Sequence, residues 1–329
     1  MSSVGSGQAW LAWLVAAILT GCAPQSKGRE LPRVIGDSSG EPWRTSYLPG
    51  AHPGRHLSAL ARAAAYAPVR MRVWVIPGSG CAGMGPVASR YFAGLLHAEI
   101  IVLHKNGVSP TARGSNCDRD FLRDDALSLW RDDIIAALAA VQTEDASSDT
   151  LPQWIVGISE GGELAPYVAP VLRNLQGVVL VSSAGIDPIA VASRRLSIRP
   201  LEREWAEVIE KAARPLPGTL IVQGRSLRYW RDFLDWRTAD LLHVGNWPLL
   251  QAWGTDDEVI PRNAYDEFAR QQVSRASPYC ALKFVGANHN LQGPDGRDGI
   301  QRLWAVLDKW ARDGVMPCAD PQVPEIRPN

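Results

Sequence analysis

The chain has 329 residues, with 34 Lys and Arg set against 34 Asp and Glu, so its formal net charge is zero. That balance, with no run of Lys or Arg, argues against nucleic acid as a partner, because phosphate binding draws on a basic excess or a basic stripe. Hydrophobic residues at 46% and charged residues at 21% exclude a wholly disordered chain, and the length suits one large α/β domain or two small ones.

In chain order, residues 1–21 carry no charged side chain, and 9–19 form an unbroken apolar run. The run is too short to span a bilayer as a helix, which takes about 20 residues, but it has the form of a signal-peptide core. No later apolar run is long enough to span. Residues 22–56 are rich in Pro, Gly and Ser and read as a tether and lead-in, with a short strand at 43–48. The domain proper is expected over 57–316, and 317–329, with four prolines, as an extended tail. Within the domain, strands are predicted at 71–76, 99–103, 154–158, 178–181, 219–222, 249–253 and 281–285. Helices are predicted at 86–97, 120–141, 163–175, 205–213, 229–242, 264–273 and 297–311. Apolar strands that do not alternate, each followed by an amphipathic helix, predict an α/β fold with a mostly parallel sheet covered on both faces. No internal repeat is present. The 13 tryptophans point to a large core or to aromatic-lined surfaces without choosing between them.

Gly157-Ile158-Ser159-Glu160-Gly161 matches G-x-S-x-G. The match alone carries little weight, since Gly36-Asp37-Ser38-Ser39-Gly40 matches too. Context separates them. The first match lies in a polar lead-in followed by Glu41-Pro42, whereas Ser159 sits between a predicted strand and a predicted helix. Small residues at 157 and 161 let the two segments approach closely, and the serine at the sharp turn exposes its hydroxyl. The helix N-terminus offers free N–H groups, which makes the Glu160 N–H a candidate oxyanion donor.

On these residues the sequence resembles the α/β-hydrolase superfamily over roughly 70–313. Three further stretches match. Strand 71–76 runs into Pro77-Gly78-Ser79-Gly80-Cys81, where the superfamily keeps its oxyanion loop. There the N–H of Ser79 or Gly80 is the second candidate donor. Trp253-Gly254-Thr255-Asp256-Asp257-Glu258-Val259-Ile260-Pro261 resembles the acid loop and selects Asp257, with its neighbour Asp256 read as a turn residue. Phe284-Val285-Gly286-Ala287-Asn288-His289-Asn290 follows the last strand and selects His289. The order Ser, Asp, His is that of the superfamily. The resemblance implies the α/β-hydrolase fold with a short lid insertion at about 184–247 and a Ser159–His289–Asp257 triad. It implies a serine hydrolase acting through an acyl-enzyme, a carboxylesterase being favoured. Ser159-Glu160-Gly161-Gly162 is similar to the elbow of dienelactone-hydrolase-like and prolyl-oligopeptidase-like members, which favours a small-molecule acyl substrate. A non-catalytic binding scaffold and an acyltransferase or peptidase with the same triad are the alternatives.

Leu19-Thr20-Gly21-Cys22 resembles the lipobox of bacterial lipoproteins. This implies a lipid at Cys22 and an envelope protein held on a membrane, by Ala23 the outer membrane facing the periplasm. Lipidation of Cys22 would leave Cys81, Cys117, Cys280 and Cys318, an even number suited to an oxidising compartment. Pairing by sequence proximity gives Cys81–Cys117 and Cys280–Cys318. Arg228, Tyr229 and Trp230 in the insertion are candidates to shape the substrate pocket. The plainer reading there is an amphipathic helix packed on the sheet with its arginines in solvent. His104 ends a strand ahead of the nucleophile and reads as structural or rim-lining. His52 and His56 are separated by Pro53-Gly54, no H-E-x-x-H or C-x-x-C occurs, and Gly78-Ser79-Gly80 lacks the Gly-Lys of a P-loop. Neither metal nor cofactor is expected, and the oligomeric state is left open.

Overall fold

A strand with apolar residues on both faces has to be covered on both sides, and β3 (Met71–Ile76), apolar but for Arg72, is buried along its whole length. Its side chains alternate as the pleat requires. Val73 and Val75 join a core with Phe92, Trp304 and Leu307 on one face. Trp74 and Ile76 join Leu127, Trp130 and Leu164 on the other. The computed structural model describes residues 43–319, apart from 115–116, 145–149, 196–198, 295 and 297. The expected signal segment, Cys22, the 36–40 motif and most of the Pro-rich tail lie outside the described residues.

The remaining strands are β1 (Arg44–Pro49), β2 (His56–Arg62), β4 (Ala98–Leu103), β5 (Gln153–Ile158), β6 (Leu175–Val181), the short pair β7 (Ile221–Val222) and β8 (Arg225–Ser226), β9 (Leu249–Gly254) and β10 (Tyr279–Phe284). Eight of them form one sheet in the order β1-β2-β4-β3-β5-β6-β9-β10. From β4 to β10 every neighbouring pair is parallel. β2 runs antiparallel to both of its neighbours. The C-terminal ends of β3, β5, β6, β9 and β10 therefore share one edge, where loops of an open parallel sheet gather functional groups.

Several expectations are corrected. The short strand expected at 43–48 is β1, but it belongs to the main sheet and not to a lead-in, and β2 was not anticipated. Its sequence HLSALAR buries Ser58 and Arg62 as well as its apolar residues, so it lacks an apolar signature. The helix expected over 120–141 is two, Arg119–Asp124 and Leu127–Glu144, because Asp125 is extended and its buried carboxylate is engaged elsewhere. The helix expected to start at 163 begins at Gly161, and a 3₁₀ turn at Ala169–Val171 closes it before Leu175. The strand expected over 219–222 shrinks to β7, which pairs only with β8, outside the main sheet. The helix expected over 229–242 breaks into Leu227–Asp235 and Thr238–Val244 at Trp236, whose indole donates to the Glu163 carbonyl.

Most of the described tryptophans serve the core: Trp74, Trp253 and Trp304 are among the largest fully buried side chains. Cys81–Cys117 and Cys280–Cys318 are both bridged, with Cα atoms 5.5 and 5.4 Å apart. Such bridges are compatible with an oxidising extracellular or periplasmic setting. Among the described residues no helix is long and apolar enough to cross a membrane.

Candidate active site

Ser159 caps β5 at φ 50°, a left-handed conformation that costs a non-glycine residue about 1–2 kcal/mol. The turn is held by the Ser159 N–H donating to the Val181 carbonyl at 2.8 Å and the Gly162 N–H donating to the Ser159 carbonyl at 2.9 Å. The glycines are sterically required. A Cβ on Gly161 would lie 2.1 Å from the Ile76 carbonyl oxygen, and one on Gly157 would lie 2.6 Å from Gly162 Cα. The strand and the helix Gly161–Val168 thus approach through bare backbone, and the serine is thrust out at the sheet edge.

His289 and Asp257 arrive from the loops after β10 and β9. The His289 Nε2 lies 3.1 Å from Ser159 Oγ, and its Nδ1 lies 3.0 and 2.9 Å from the two oxygens of Asp257. The Asp257 carboxylate is 1% exposed. It accepts from the N–H groups of Val259 and Ile260, both at 2.8 Å, and from the Tyr265 phenol at 2.7 Å. Burial pushes the Asp257 carboxyl up, but the bonds from His289, Ile260 and Tyr265 outweigh it and hold the group below its ordinary value. A carboxylate fixed in this way sets the Nδ1–H tautomer of His289, leaving Nε2 free to accept from Ser159. Asp256 is exposed, and its carboxylate accepts from the hydroxyl of its neighbour Thr255 at 3.1 Å.

The loop after β3 passes beside the serine: a Cβ on Gly78 would stand 3.5 Å from Ser159 Cβ. Ser79 and Gly80 follow, Gly80 at φ 86°. The loop is braced from below. Cys81 is bridged to Cys117, and the Gly83 and Gly85 N–H groups donate to the carbonyls of Ala112 and Pro110 at 2.8 Å each. His104 lies under it, fully buried, accepting at Nε2 from the Met84 N–H at 2.9 Å and facing the Ser58 carbonyl through Nδ1 at 3.0 Å. Burial lowers the His104 pKa, in keeping with a neutral ring that donates from Nδ1.

In the insertion the helix Leu227–Asp235 turns its apolar face inward, as the plainer reading expected. Tyr229 and Trp230 are buried, their polar atoms committed to Glu160 Oε1 at 2.8 Å and to the Val222 carbonyl at 2.7 Å. Arg228 is half-buried beside Gly218. The expectation that the arginines lie in solvent is corrected. Arg225 is 1% exposed, and Arg231 caps the carbonyls of Ala212, Arg214 and Leu216. Sequence reasoning missed Tyr265, Lys105 and the inward carboxylate of Glu160. Among the described residues no group of three or more His, Cys, Asp or Glu is placed to hold a metal ion.

No family model matches the chain. A stretch of 113 residues is 27% identical to a protein described as a probable disease resistance protein of Arabidopsis thaliana, covering 34% of this chain and 11% of that one. Solved structures align far more broadly. The mouse α/β hydrolase domain-containing protein 10 is 19% identical, with 83% of this chain and 100% of that chain covered at a TM-score of 0.54. The fold is that of the α/β hydrolases. An esterase domain from Rhodothermus marinus shares it at 16% identity, with 83% and 99% of the two chains covered and a TM-score of 0.52. A puromycin-hydrolysing peptidase of Mycobacterium tuberculosis shares it at 16% identity and a TM-score of 0.59, with 88% of this chain covering 42% of that one. Within this α/β-hydrolase fold, Ser159, His289 and Asp257 stand at the ends of β5, β10 and β9.

Proposed function

We propose that the protein is a serine hydrolase that cleaves a carboxylic ester or a related acyl bond. The observation that carries this reading is the unbroken line Ser159 Oγ, His289 Nε2, His289 Nδ1, Asp257 carboxylate, built on a left-handed serine. In the reaction, His289 takes the Ser159 proton as the oxygen attacks the acyl carbon, then returns it to the departing alkoxide. Asp257 keeps the imidazole in its working tautomer and stabilises the imidazolium. Water, deprotonated by the same imidazole, releases the acid and restores Ser159. The oxyanion is held by the N–H of Glu160 and that of Ser79 or Gly80, each donor contributing about 3–4 kcal/mol to the transition state. Neither metal nor cofactor is needed. The fold is shared with structures described as an esterase and a peptidase, so the bond type is set by the site walls and not by the fold.

We further infer that the enzyme works in the cell envelope, tethered by lipid at Cys22. Two disulfides take up four of the five cysteines, all but Cys22. Labelling with a fluorophosphonate, followed by peptide mapping, tests the activity. An adduct on Ser159 in the wild type and none in Ser159→Ala supports it. A folded wild type that stays unlabelled returns the protein to the role of a binding scaffold.

A further inference from the structure

Next to the triad lies a ring of four buried charges that the reaction just described does not use. Lys105, two residues past β4, donates from Nζ to Asp125 Oδ1 at 2.8 Å and to Glu160 Oε2 at 2.7 Å. Arg225, at the start of β8, pairs with Asp125 Oδ2 and stands 3.6 Å from Glu160 Oε1. The Tyr229 phenol donates to the same Glu160 Oε1 at 2.8 Å. None of the four charged side chains is more than 6% exposed. Lys105 also stands over the Trp130 ring at 4.4 Å, and Arg225 over the Tyr229 ring at 4.1 Å. Burial pushes the Tyr229 phenol well above its ordinary range, so it acts as a donor. Burial also pushes Asp125 up, but Lys105 and Arg225 outweigh it and keep that carboxyl ionised.

Charges are taken out of water at great cost, recovered only when each is fully paired. This ring converges on Glu160, the residue next to the nucleophile and at the N-cap of the helix Gly161–Val168, whose own N–H is the candidate oxyanion donor. The Glu160 carboxylate is gripped at both oxygens, which fixes the residue at the head of the helix. Two cations also cancel a negative charge that would otherwise oppose the negative oxygen forming on the substrate.

On the serine-hydrolase reading of Ser159, we propose that Lys105, Arg225 and Tyr229 are positioning residues. They hold and neutralise the Glu160 carboxylate so that its backbone N–H can stabilise the oxyanion. They thereby make the 221–235 part of the insertion a fixed wall of the active site.

The rate constant for fluorophosphonate modification of Ser159, followed across pH alongside thermal melts, tests this in the full chain. Tyr229→Phe removes one hydroxyl and is expected to lower the high-pH plateau about tenfold, with the inflection unmoved. Lys105→Met is expected to lower it about a hundredfold, because Glu160 is left uncompensated. Adding Glu160→Gln to Lys105→Met removes the stranded charge and is expected to restore about tenfold of the loss. A ring that merely braces the fold would give rates that track melting temperature, with no recovery in the double variant. Tyr229→Phe labelled at the wild-type rate overturns the proposal, and does so even where Lys105→Met fails to fold. An unlabelled wild type overturns the hydrolase reading itself, a separate result.

Discussion

The Ser182 hydroxyl donates to the main-chain carbonyl of His289 at 2.6 Å. Ser182 is the first residue beyond β6, as Ser159 is beyond β5, and both adopt φ 50°. Two neighbouring parallel strands thus end in the same left-handed serine. One turns its oxygen to the His289 imidazole, and the other turns it to the backbone that carries that imidazole.

Ser182→Ala is accordingly expected to leave the His289 carbonyl without its partner. Stability should fall by about 1–3 kcal/mol. The labelling rate of Ser159 should fall about tenfold, since catalysis is sensitive to small misplacement of the base. Urea denaturation and fluorophosphonate kinetics on the one variant measure both, and an unaltered labelling rate would show that the imidazole is held without this bond.

Glu163 sets a pH dependence. Burial, opposed by the bond from Thr238 and aided by the charges of Asp187 and Glu160, pushes its carboxyl up to about 8 from the ordinary 4.5. Below pH 4.5 both folded and unfolded chains carry the proton. Between there and about 8 the unfolded chain releases it and the folded one keeps it, so this group makes stability fall as pH rises. Above about 8 the penalty is complete. Glu163→Gln should remove that slope and raise stability at pH 9 relative to pH 5. Denaturation curves of both proteins at pH 5, 7 and 9 provide the check.

The two disulfides close loops of nearly equal length, with sequence separations of 36 and 38. Loop-closure entropy therefore predicts that each contributes about 4 kcal/mol. Their effects on activity should differ. Cys81→Ala with Cys117→Ala frees the loop that carries Ser79 and Gly80, and should slow labelling by more than the loss of stability explains. Cys280→Ala with Cys318→Ala should cost similar stability at an unchanged labelling rate below the melting transition. Equal slowing in both would locate the first bridge's role in stability alone.

Gly161→Ala places a methyl 2.1 Å from the Ile76 carbonyl oxygen, an atom of rigid backbone. The elbow and β3 must separate to admit it. A loss of more than about 4 kcal/mol is expected, in the range reserved for strain and overpacking at special positions. Circular-dichroism melts of the variant measure it.

The three residues that the fold brings into one hydrogen-bonded line, Ser159, His289 and Asp257, were legible because each sits past a strand end marked by its own local pattern. For Ser159 the pattern is glycines at 157 and 161, and for Asp257 and His289 it is the loops closing β9 and β10. The sheet's parallel half was legible for a similar reason: apolar strands such as β3 and β5 show no alternation and so have to be covered twice. β2 escaped because it mixes Ser58 and Arg62 into its buried face. The charge ring escaped more completely. Lys105, Asp125, Glu160 and Arg225 are brought together from four separate elements, and each alone looks like a solvated charge. Tyr265, eight residues past its partner Asp257, reads as one more aromatic on a helix face until the fold turns its phenol inward.

The strand order also governs how the chain comes to be folded. β3 lies between β4, which follows it closely, and β5, which follows only after two further helices, so that Arg72 pairs with Gln153. The centre of the sheet is thus a ladder of high contact order, closed only after a long stretch of intervening chain has been drawn in. Until β5 arrives, β3 presents an open edge that is apolar but for Arg72. During synthesis the half-made sheet is the species most exposed to aggregation, and its safety rests on how soon residues 153–158 follow.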